Sequence, residues 1–256
     1  MLNPLRDSAQ QGSRRTLEAI TPHALKELMP RPVRRGVKTI SVPAIMAMQL
    51  PAAKLRISYS GSTPRASEVV ANYTRGWVLF GRSDARRAIF EWRSFPTRAV
   101  IAADTAKIPK TLRQIRHRGD LEVRFDQDFE AIIHACQQGR TGWIWITPAL
   151  IDVYREVHQL GFVRTVGTYR DGQLVGGLWG IGVGRVFGIM SMFHRESNAG
   201  TLALGALVDA VCDDGRWSAI DCGAMSPHFD MYGASEITQE QFCDLTWDTL
   251  SKITTG

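Results

Sequence analysis

The sequence lacks the features that mark membrane-spanning and metal-binding proteins. No apolar run among its 256 residues approaches the ~20 residues needed to cross a bilayer. Cysteine is scarce, and no cysteine lies in a Cys-x-x-Cys pair or at zinc-ligand spacing from a histidine; the four are Cys136, Cys212, Cys222 and Cys243. We therefore expect reduced thiols in a cytoplasmic protein, without a bound metal or a membrane partner.

The common signatures of cofactor binding and hydrolysis are also absent. The chain has no Gly-x-x-x-x-Gly-Lys phosphate loop, no His-Glu-x-x-His and no Gly-x-Ser-x-Gly nucleophile elbow. The glycine-rich run at 180–184 connects two apolar segments, whereas a dinucleotide-binding loop opens a helix. The Ser-Arg-Arg at 13–15 is followed by charges and prolines instead of an apolar stretch, which argues against an export signal.

The overall composition is that of a basic globular protein. A hydrophobic content of 44% is sufficient for one large or two small domains. The formal charge of +6 permits a polyanionic partner, although many basic proteins bind no nucleic acid.

The first 65 residues are a poor candidate for a compact core. Seven of the eleven prolines lie in residues 1–64. A helix could form over 15–29. A basic cluster follows it, and two interpretations stay open for these side chains, contact with phosphates or a solvated linker; the cluster is Arg31, Arg34, Arg35 and Lys38.

The most distinctive stretch is the glycine-rich segment 171–193. Asp171-Gly172 and the glycine at 184 supply the positive φ angles of tight turns, and the apolar residues between them favour strands. Glycines within strands indicate bulges or a place where a ligand or another backbone comes close.

The remaining pattern predicts alternating helices and strands. Between 67 and 101 we expect a short helix, a turn and two strands, and within 104–117 a basic amphipathic helix that starts near residues 107–109. Further predictions, each from its own cap or periodicity, are a helix capped by Asp126 and ending at Gly139, a short strand over 143–146, a helix from Thr147-Pro148 to Gly161, a strand over 162–169, a helix over 198–213, a strand over 217–222 and a short helix near 238–242. This order predicts an α+β fold with a mixed sheet, compatible with an acyltransferase of the GNAT type.

Ordered fragments from about Val70 to Phe242 resemble the bacterial leucyl/phenylalanyl-tRNA–protein transferase family. The matching fragments are Arg98-Ala99-Val100, Trp145-Ile146-Thr147, Tyr154 with His158-Gln159-Leu160-Gly161, Leu174-Val175-Gly176-Gly177, Ser191-Met192-Phe193, Asn198-Ala199, Ile220-Asp221-Cys222 and Gly233-Ala234 with Glu236-Ile237. Each fragment is short, and their shared order carries the resemblance.

The resemblance implies the organisation and the reaction. The implied domains are an extended Pro- and Arg-rich segment over 1–65, a small N-terminal α/β domain over 66–120 and a GNAT-like transferase domain over 121–256. The implied reaction moves an amino acid from aminoacyl-tRNA to the N-terminal amine of a protein, typically to Arg or Lys, as a step in protein degradation. Because the ester is already activated, no cofactor, ATP or metal is expected. We also expect a monomer.

The resemblance also assigns roles to individual residues. Leu178, Phe187 and Met192 correspond to a pocket for the apolar amino-acid side chain. Trp145 and Tyr154 correspond to aromatic residues near the tRNA 3′ end. Without the resemblance, we would favour a place in the core of a sheet or helix for each of these residues.

Several departures from the family pattern affect the expected chemistry. Met190 stands where the family has a glutamate before Ser-Met-Phe, Gly223 stands for a glutamine, and Gly167 replaces a further glutamate. Neither Met190 nor Gly223 can accept a proton. Asp221 remains, and two interpretations stay open for it: it binds or orients the substrate amine, or it has a structural role, capping a neighbouring loop or pairing with an arginine.

Three functions are therefore compatible with the sequence. The first is an aminoacyl-tRNA-dependent transferase with altered catalytic residues. The second is a protein of the same fold that binds tRNA or an N-terminal residue without turnover. The third is a CoA-dependent N-acyltransferase, which Glu196 disfavours because its charge would repel a pyrophosphate at a helix N-terminus.

Overall fold

The computed structural model describes residues 38–39, 56–83, 87–138, 145–212 and 217–254. Within these ranges the chain forms eleven strands and seven helices. In order they are β1 (Lys38–Thr39), β2 (Arg56–Tyr59), α1 (Ala66–Tyr73), β3 (Trp77–Ser83), β4 (Ala88–Ser94), β5 (Thr97–Ala102), α2 (Lys110–Arg118), β6 (Glu122–Phe125), α3 (Phe129–Gln138), α4 (Pro148–Gln159), β7 (Val163–Arg170), β8 (Gln173–Val183), β9 (Val186–His194), α5 (Ala199–Cys212), β10 (Ala219–Gly223), α6 (Pro227–Asp230), β11 (Ser235–Thr238) and α7 (Gln239–Thr254).

The strands form two sheets. The smaller has the order β1-β2-β4-β3, and the larger has the order β11-β5-β10-β9-β8-β7-β6. In the larger sheet β6 to β9 are sequential antiparallel neighbours, after which α5 returns the chain so that β10 pairs in parallel with β9. A parallel pair requires such a crossover. The α+β fold with a mixed sheet expected from the sequence is therefore confirmed.

Two hydrophobic clusters cover the two faces of the larger sheet. Successive strand residues point to opposite faces, and Leu178 and Trp179 of β8 accordingly belong to different clusters. Trp179 shares its cluster with residues of α1, α3, α4 and α7. Leu178 shares its cluster with residues of α2 and α5. The apolar candidate residues can therefore be assigned to one face or the other.

The helix predicted from Thr147-Pro148 to Gly161 is confirmed as α4. The Thr147 hydroxyl accepts the Leu150 N–H at 3.3 Å, and the proline occupies the first turn, where no backbone donor is needed. Gly161 follows the helix with φ of 80°. The turn at Asp171-Gly172 is confirmed in the same way, with φ of 49° and 77°.

The segment predicted to hold two strands between 67 and 101 contains three. The run from 90 to 101 is divided at Phe95-Pro96, so that β4 joins the smaller sheet and β5 joins the larger. Proline lacks the N–H that a central strand would use, which is why the run is interrupted there.

Three further local predictions are wrong. Asp126 does not cap α3, which begins at Phe129; its carboxylate accepts the Thr165 N–H at 3.3 Å instead. The C-terminal helix is α7, with 16 residues in place of a short helix, and β11 precedes it. Trp145 and Ile146 are not in a strand. The expectations for residues 15–29, for the arginines at 31–35, for Gly139 and for the strand residues at 143–144 lie outside the described residues.

The glycines of β8 and β9 mark close approaches by other parts of the protein. A Cβ on Gly176 would meet Ala199 at the start of α5, and one on Gly188 would overlap the Tyr73 hydroxyl. The register between β8 and β9 shifts between Trp179 and Gly180. The predicted bulge is therefore present, and α1 lies against the hairpin.

Candidate functional site

The parallel ladder between β9 and β10 ends close to three of the residues that the sequence singles out, which are Met190, Asp221 and Gly223. The ladder between these strands ends where Asp221 pairs with Gly188. Two residues further along each strand lie Met190 and Gly223. Met190 and Gly223 thus each lie two positions beyond the last pair of this ladder.

Asp221 is the buried centre of this region, with 2% of its surface exposed. Its Oδ2 accepts hydrogen bonds from Arg98 Nη1 and from the Tyr73 hydroxyl, the latter at 2.9 Å. Its Oδ1 accepts the Gly223 N–H at 2.9 Å. Both carboxylate oxygens are therefore engaged, and the charge is paired with a guanidinium whose exposure is also 2%.

Tyr73 reaches Asp221 because the facing residue on β9 is Gly188. Any side chain at 188 would occupy the position of the tyrosine hydroxyl. Burial, and then the charge of Asp221, raise the pKa of Tyr73 well above its ordinary value. The phenol therefore stays protonated and acts as a hydrogen-bond donor to the carboxylate.

Arg98 connects Asp221 to two other parts of the chain. Its Nη2 donates to the Gly76 carbonyl at 2.9 Å, and its guanidinium lies 4.2 Å from the centre of the Phe242 ring on α7. A guanidinium over an aromatic face is attractive. Arg98 thus links Asp221 of β10 to the Gly76 carbonyl and to Phe242 of α7. We name the three polar side chains, Arg98, Asp221 and Tyr73, the Asp221 triad.

Met190 lies at the bulge of β9, between Ile189, which pairs with Gly180, and Ser191, which pairs with Trp179. The Tyr154 hydroxyl donates to the Met190 sulfur at 3.8 Å. Tyr154 is fully buried, and burial raises its pKa, so the hydroxyl remains a donor. A thioether is a weak acceptor, and this contact is therefore weaker than one to a carboxylate.

Trp145 belongs to the aromatic group around Tyr154. Its ring centre lies 4.9 Å from that of Phe80 and 6.4 Å from that of Trp179, and Tyr154 stands edge-on to Trp179 at 4.8 Å. Met190 packs against the same cluster. Trp145, Tyr154 and Met190 are thus brought together on one face of the sheet.

Leu178, Phe187 and Met192 lie on the opposite face. Leu178 and Met192 are directly opposed on β8 and β9, and Phe187 belongs to the same cluster. Leu178 and Phe187 are buried, whereas Met192 is partly exposed. The residues predicted for the amino-acid side chain therefore form one group, and those predicted for the tRNA end form another across the sheet.

Gly223 and Gly167, which replace family side chains, differ in the space around them. Gly223 has φ of +73°, and a Cβ there would meet no atom within 4 Å. A Cβ on Gly167 would lie 2.7 Å from the Tyr169 ring, whose hydroxyl donates to Asp128 at 2.6 Å. The space at Gly223 is open, while the space at Gly167 is filled by tyrosine.

The segment before α5 contains Glu196, whose charge the sequence suggests would repel a pyrophosphate, but the structure pairs this charge with Arg170. Arg170 donates to Glu196 at 2.7 Å and to Asp120 at 3.0 Å. Glu196 is thus ion-paired with an arginine that it shares with Asp120. These residues line a cavity of about 350 Å³, together with Ile115, Arg118, Leu121, Ser197 and Asn198.

The structure bears on two further expectations. Within the described ranges, no group of three or more His, Cys, Asp or Glu side chains is placed to hold a metal ion. Among the helices described, none combines the length and the apolar character required to span a membrane.

Tyr73, Arg98 and Phe242 have no role that sequence patterns assign to them. Local patterns do not connect them to Asp221, from which Tyr73 is separated by 148 positions and Arg98 by 123. One signal is present in the sequence, because Arg98 interrupts the apolar strand of residues 97–102 and a buried arginine requires a partner.

The family model and the similar proteins point to the same family. The model of the family described as leucyl/phenylalanyl-tRNA protein transferase matches residues 100–246. A protein of that name from Syntrophobacter fumaroxidans is 32% identical over 199 residues, which are 77% of this chain and 83% of the relative. Another from Azoarcus sp. is 36% identical over 181 residues, or 66% and 75% of the two chains.

Solved structures are similar only at a distance. The C-terminal domain of a putative lysylphosphatidylglycerol synthetase from Agrobacterium fabrum gives a TM-score of 0.38 at 11% identity, covering 58% of this chain and 49% of the other. A GCN5-related N-acetyltransferase from Kribbella flavida gives 0.33 at 11% identity, covering 64% and 58%.

Proposed function

Because the chain belongs to the leucyl/phenylalanyl-tRNA protein transferase family, we propose that it transfers an amino acid from an aminoacyl-tRNA to the N-terminal amine of a protein or peptide. The observation that carries the proposal is the match over residues 100–246, which includes the second half of β5, the hairpin of β8 and β9, α5 and β10. This range contains both groups of candidate residues and the central Asp221.

The proposed reaction is the aminolysis of an ester. The neutral acceptor amine attacks the ester carbonyl, a C–N bond forms, and the C–O bond to the tRNA 3′ oxygen breaks. The amine loses a proton and the departing oxygen gains one. The protein contributes by holding the two substrates in register and by stabilising the oxyanion that develops.

We assign the donor's amino-acid side chain to the group Leu178, Phe187 and Met192. These side chains are apolar, and Met192 connects the buried part of the group to a partly exposed surface. A flexible thioether at such a point adapts to side chains of different shape. This supports Leu, Phe or Met as the transferred residue.

The Asp221 triad is proposed to position the strand end on which the reacting groups rest. Asp221 is fully hydrogen-bonded within the protein, so it holds Gly223 in place through the 2.9 Å bond to its N–H. The register between β5 and β10 shifts between Asp221 and Gly223. Such a bulge takes one residue out of the strand ladder, and we propose that the backbone at this point contacts the substrates.

The test is a transfer assay with purified protein, radiolabelled Leu-, Phe- or Met-tRNA, and peptides that differ at their N-terminal residue. We expect labelled peptide with the charged tRNA, and none when labelled acetyl-CoA replaces it. Replacing Leu178 with Trp should block the donor pocket and abolish transfer, with deacylated tRNA still bound. Absence of product across the whole panel of charged tRNAs and acceptors would refute the proposal.

A second candidate function is favoured by Met190 and Gly223. Since neither side chain can act as a base, the protein could bind charged tRNA or an N-terminal residue without turnover. This candidate predicts measurable affinity and no product. It also predicts that Met190→Glu with Gly223→Gln recovers transfer, although a side chain at φ of +73° costs about 1–2 kcal/mol.

A further inference from the structure

We propose that Glu236 is a specificity-determining residue of this transferase, which forms an ion pair with the cationic side chain of the acceptor's N-terminal residue. The proposal rests on the transfer function argued above. Glu236 lies on β11, at the edge of the larger sheet, and is separated from β10 by β5 alone.

Strand register places Glu236 level with the end of β10. Ala99 of β5 pairs with Glu236 on one side and with Gly223 on the other. Because neighbouring strands are about 4.8 Å apart, the Cα atoms of Glu236 and Gly223 are about 10 Å apart. Arg and Lys carry their charge on long aliphatic stems. An acceptor whose amine lies near Gly223 can therefore bring this charge to the Glu236 carboxylate.

Glu236 also lies on the sheet face that carries the proposed donor group. Directly opposed residues of antiparallel strands point to the same face, and Ala99 belongs to the cluster that includes Leu178 and Phe187. The next residue, Ile237, packs against the other cluster, as strand alternation requires. An acceptor bound at Glu236 is therefore on the same side of the sheet as the donor.

A hydrogen bond directs the Glu236 carboxylate towards the end of the sheet at which β10 ends. The Thr97 hydroxyl donates to Glu236 Oε1 at 3.2 Å. Thr97 is the first residue of β5, which runs antiparallel to β10, and Gly223 is the last residue of β10. The side chain of Glu236 is exposed, so a substrate can reach its carboxylate from solvent.

The Glu236 carboxylate has no cationic partner among the residues that the structure describes. Arg98, next to Thr97 in sequence, lies on the opposite face and is paired with Asp221. Arg56 of the smaller sheet donates to Gln239 Oε1 at 2.6 Å. The charge of Glu236 is thus available to a ligand.

The segment around Glu236 is acidic, although the protein as a whole carries a formal charge of +6. Residues 217–251 contain six Asp and Glu residues and no Lys or Arg. A cationic acceptor suits this segment, because complementary charge favours the encounter and suppresses partners of the wrong charge. An exposed carboxylate also lets the acceptor's charge stay partly hydrated, which limits the desolvation cost of the ion pair.

The test compares acceptor peptides that begin with Arg, citrulline, Lys or norleucine, with Leu- or Phe-tRNA as donor. Citrulline has nearly the shape of arginine without its charge, and norleucine is the corresponding analogue of lysine. We expect kcat/KM for each cationic peptide to exceed that of its neutral analogue by about tenfold, the effect of one charge-assisted hydrogen bond. Glu236→Gln should reduce this ratio to nearly one. No preference in the unsubstituted protein, or a ratio that Glu236→Gln leaves unchanged, would overturn the inference.

Glu240→Gln is the matched control. It removes the charge of another exposed carboxylate only four positions away, but on α7 instead of β11. The ratio of Arg to citrulline should stay at the value of the unsubstituted protein. A decrease as large as that in Glu236→Gln would mean that general charge, and not Glu236, determines the preference.

A binding measurement separates this inference from the transfer function. If no peptide is acylated, the transfer proposal fails, and fluorescence anisotropy with the same peptides, labelled at their C-termini, tests Glu236 directly. Tighter binding of the Arg peptide than of the citrulline peptide, lost in Glu236→Gln and kept in Glu240→Gln, supports the inference. Any other pattern, including no binding of any peptide, refutes it.

Discussion

Replacing Arg98 with methionine tests the structural role of the buried ion pair. The change preserves much of the side-chain volume over Phe242 but leaves Asp221 charged, with only the Tyr73 hydroxyl and the Gly223 N–H as partners. Asp221→Asn is the complementary change, because it leaves the guanidinium buried without its carboxylate. The double variant Arg98→Met with Asp221→Asn removes both charges.

The expected losses of unfolding free energy follow from the burial of both side chains of the pair, each of which is 2% exposed. Removing one partner of a buried pair costs about 3–5 kcal/mol of unfolding free energy, because the other charge remains without compensation. The double variant should lose less than the sum of the two single variants. The coupling energy should be about 1–3 kcal/mol, since the two groups are in direct contact.

The measurement is urea unfolding followed by tryptophan fluorescence. A loss of about 3–5 kcal/mol should move the midpoint of a single variant by about 1–5 M, given urea slopes of about 1–3 kcal/mol/M. If the losses of the two single variants simply add in the double variant, the two side chains do not interact in solution and the assigned pair is refuted. A single variant with an unchanged midpoint would contradict its burial.

Three further predictions concern the rate, the hairpin and α4. Because the replaced family positions hold no side-chain base, kcat/KM for transfer should rise with pH up to the pKa of the free acceptor amine, about 8; a bell-shaped profile centred near neutrality would contradict this. Gly188→Ala should displace the Tyr73 hydroxyl and cost about 1–3 kcal/mol in urea unfolding, whereas Gly61→Ala, which meets no atom within 4 Å, should be nearly neutral. Thr147→Ala should cost about 1 kcal/mol by removing the N-cap acceptor, and Thr147→Ser should restore most of it; equal losses would mean that the cap does not contribute.

Much of the fold could be predicted because its signals are local. The cap and first-turn proline at Thr147-Pro148 specify the start of α4, and the Asp171-Gly172 dipeptide specifies the turn between β7 and β8. What could not be predicted depends on distant neighbours. The sequence of residues 235–238 has no strand signal of its own, and β11 exists because the edge of β5 is there to pair with it.

The candidate site was also predictable only where its signals are local. Asp221 could be named from the sequence, with a structural pair and a substrate role equally possible. The choice of Arg98 and Tyr73 as its partners depends on the β5 to β10 pairing and on the missing side chain of Gly188, which periodicity does not reveal. Likewise, strand alternation separates Leu178 from Trp145 and Tyr154 only once the sheet has been assembled.

The short connection between β4 and β5 has a consequence for how the protein unfolds. Only Phe95 and Pro96 separate a strand of the smaller sheet from a strand of the larger, and Arg98 follows almost immediately. Two residues give the sheets little freedom to separate without breaking the pairing of one of them. We therefore expect both sheets to melt in one cooperative transition, with no populated state in which the larger sheet survives alone.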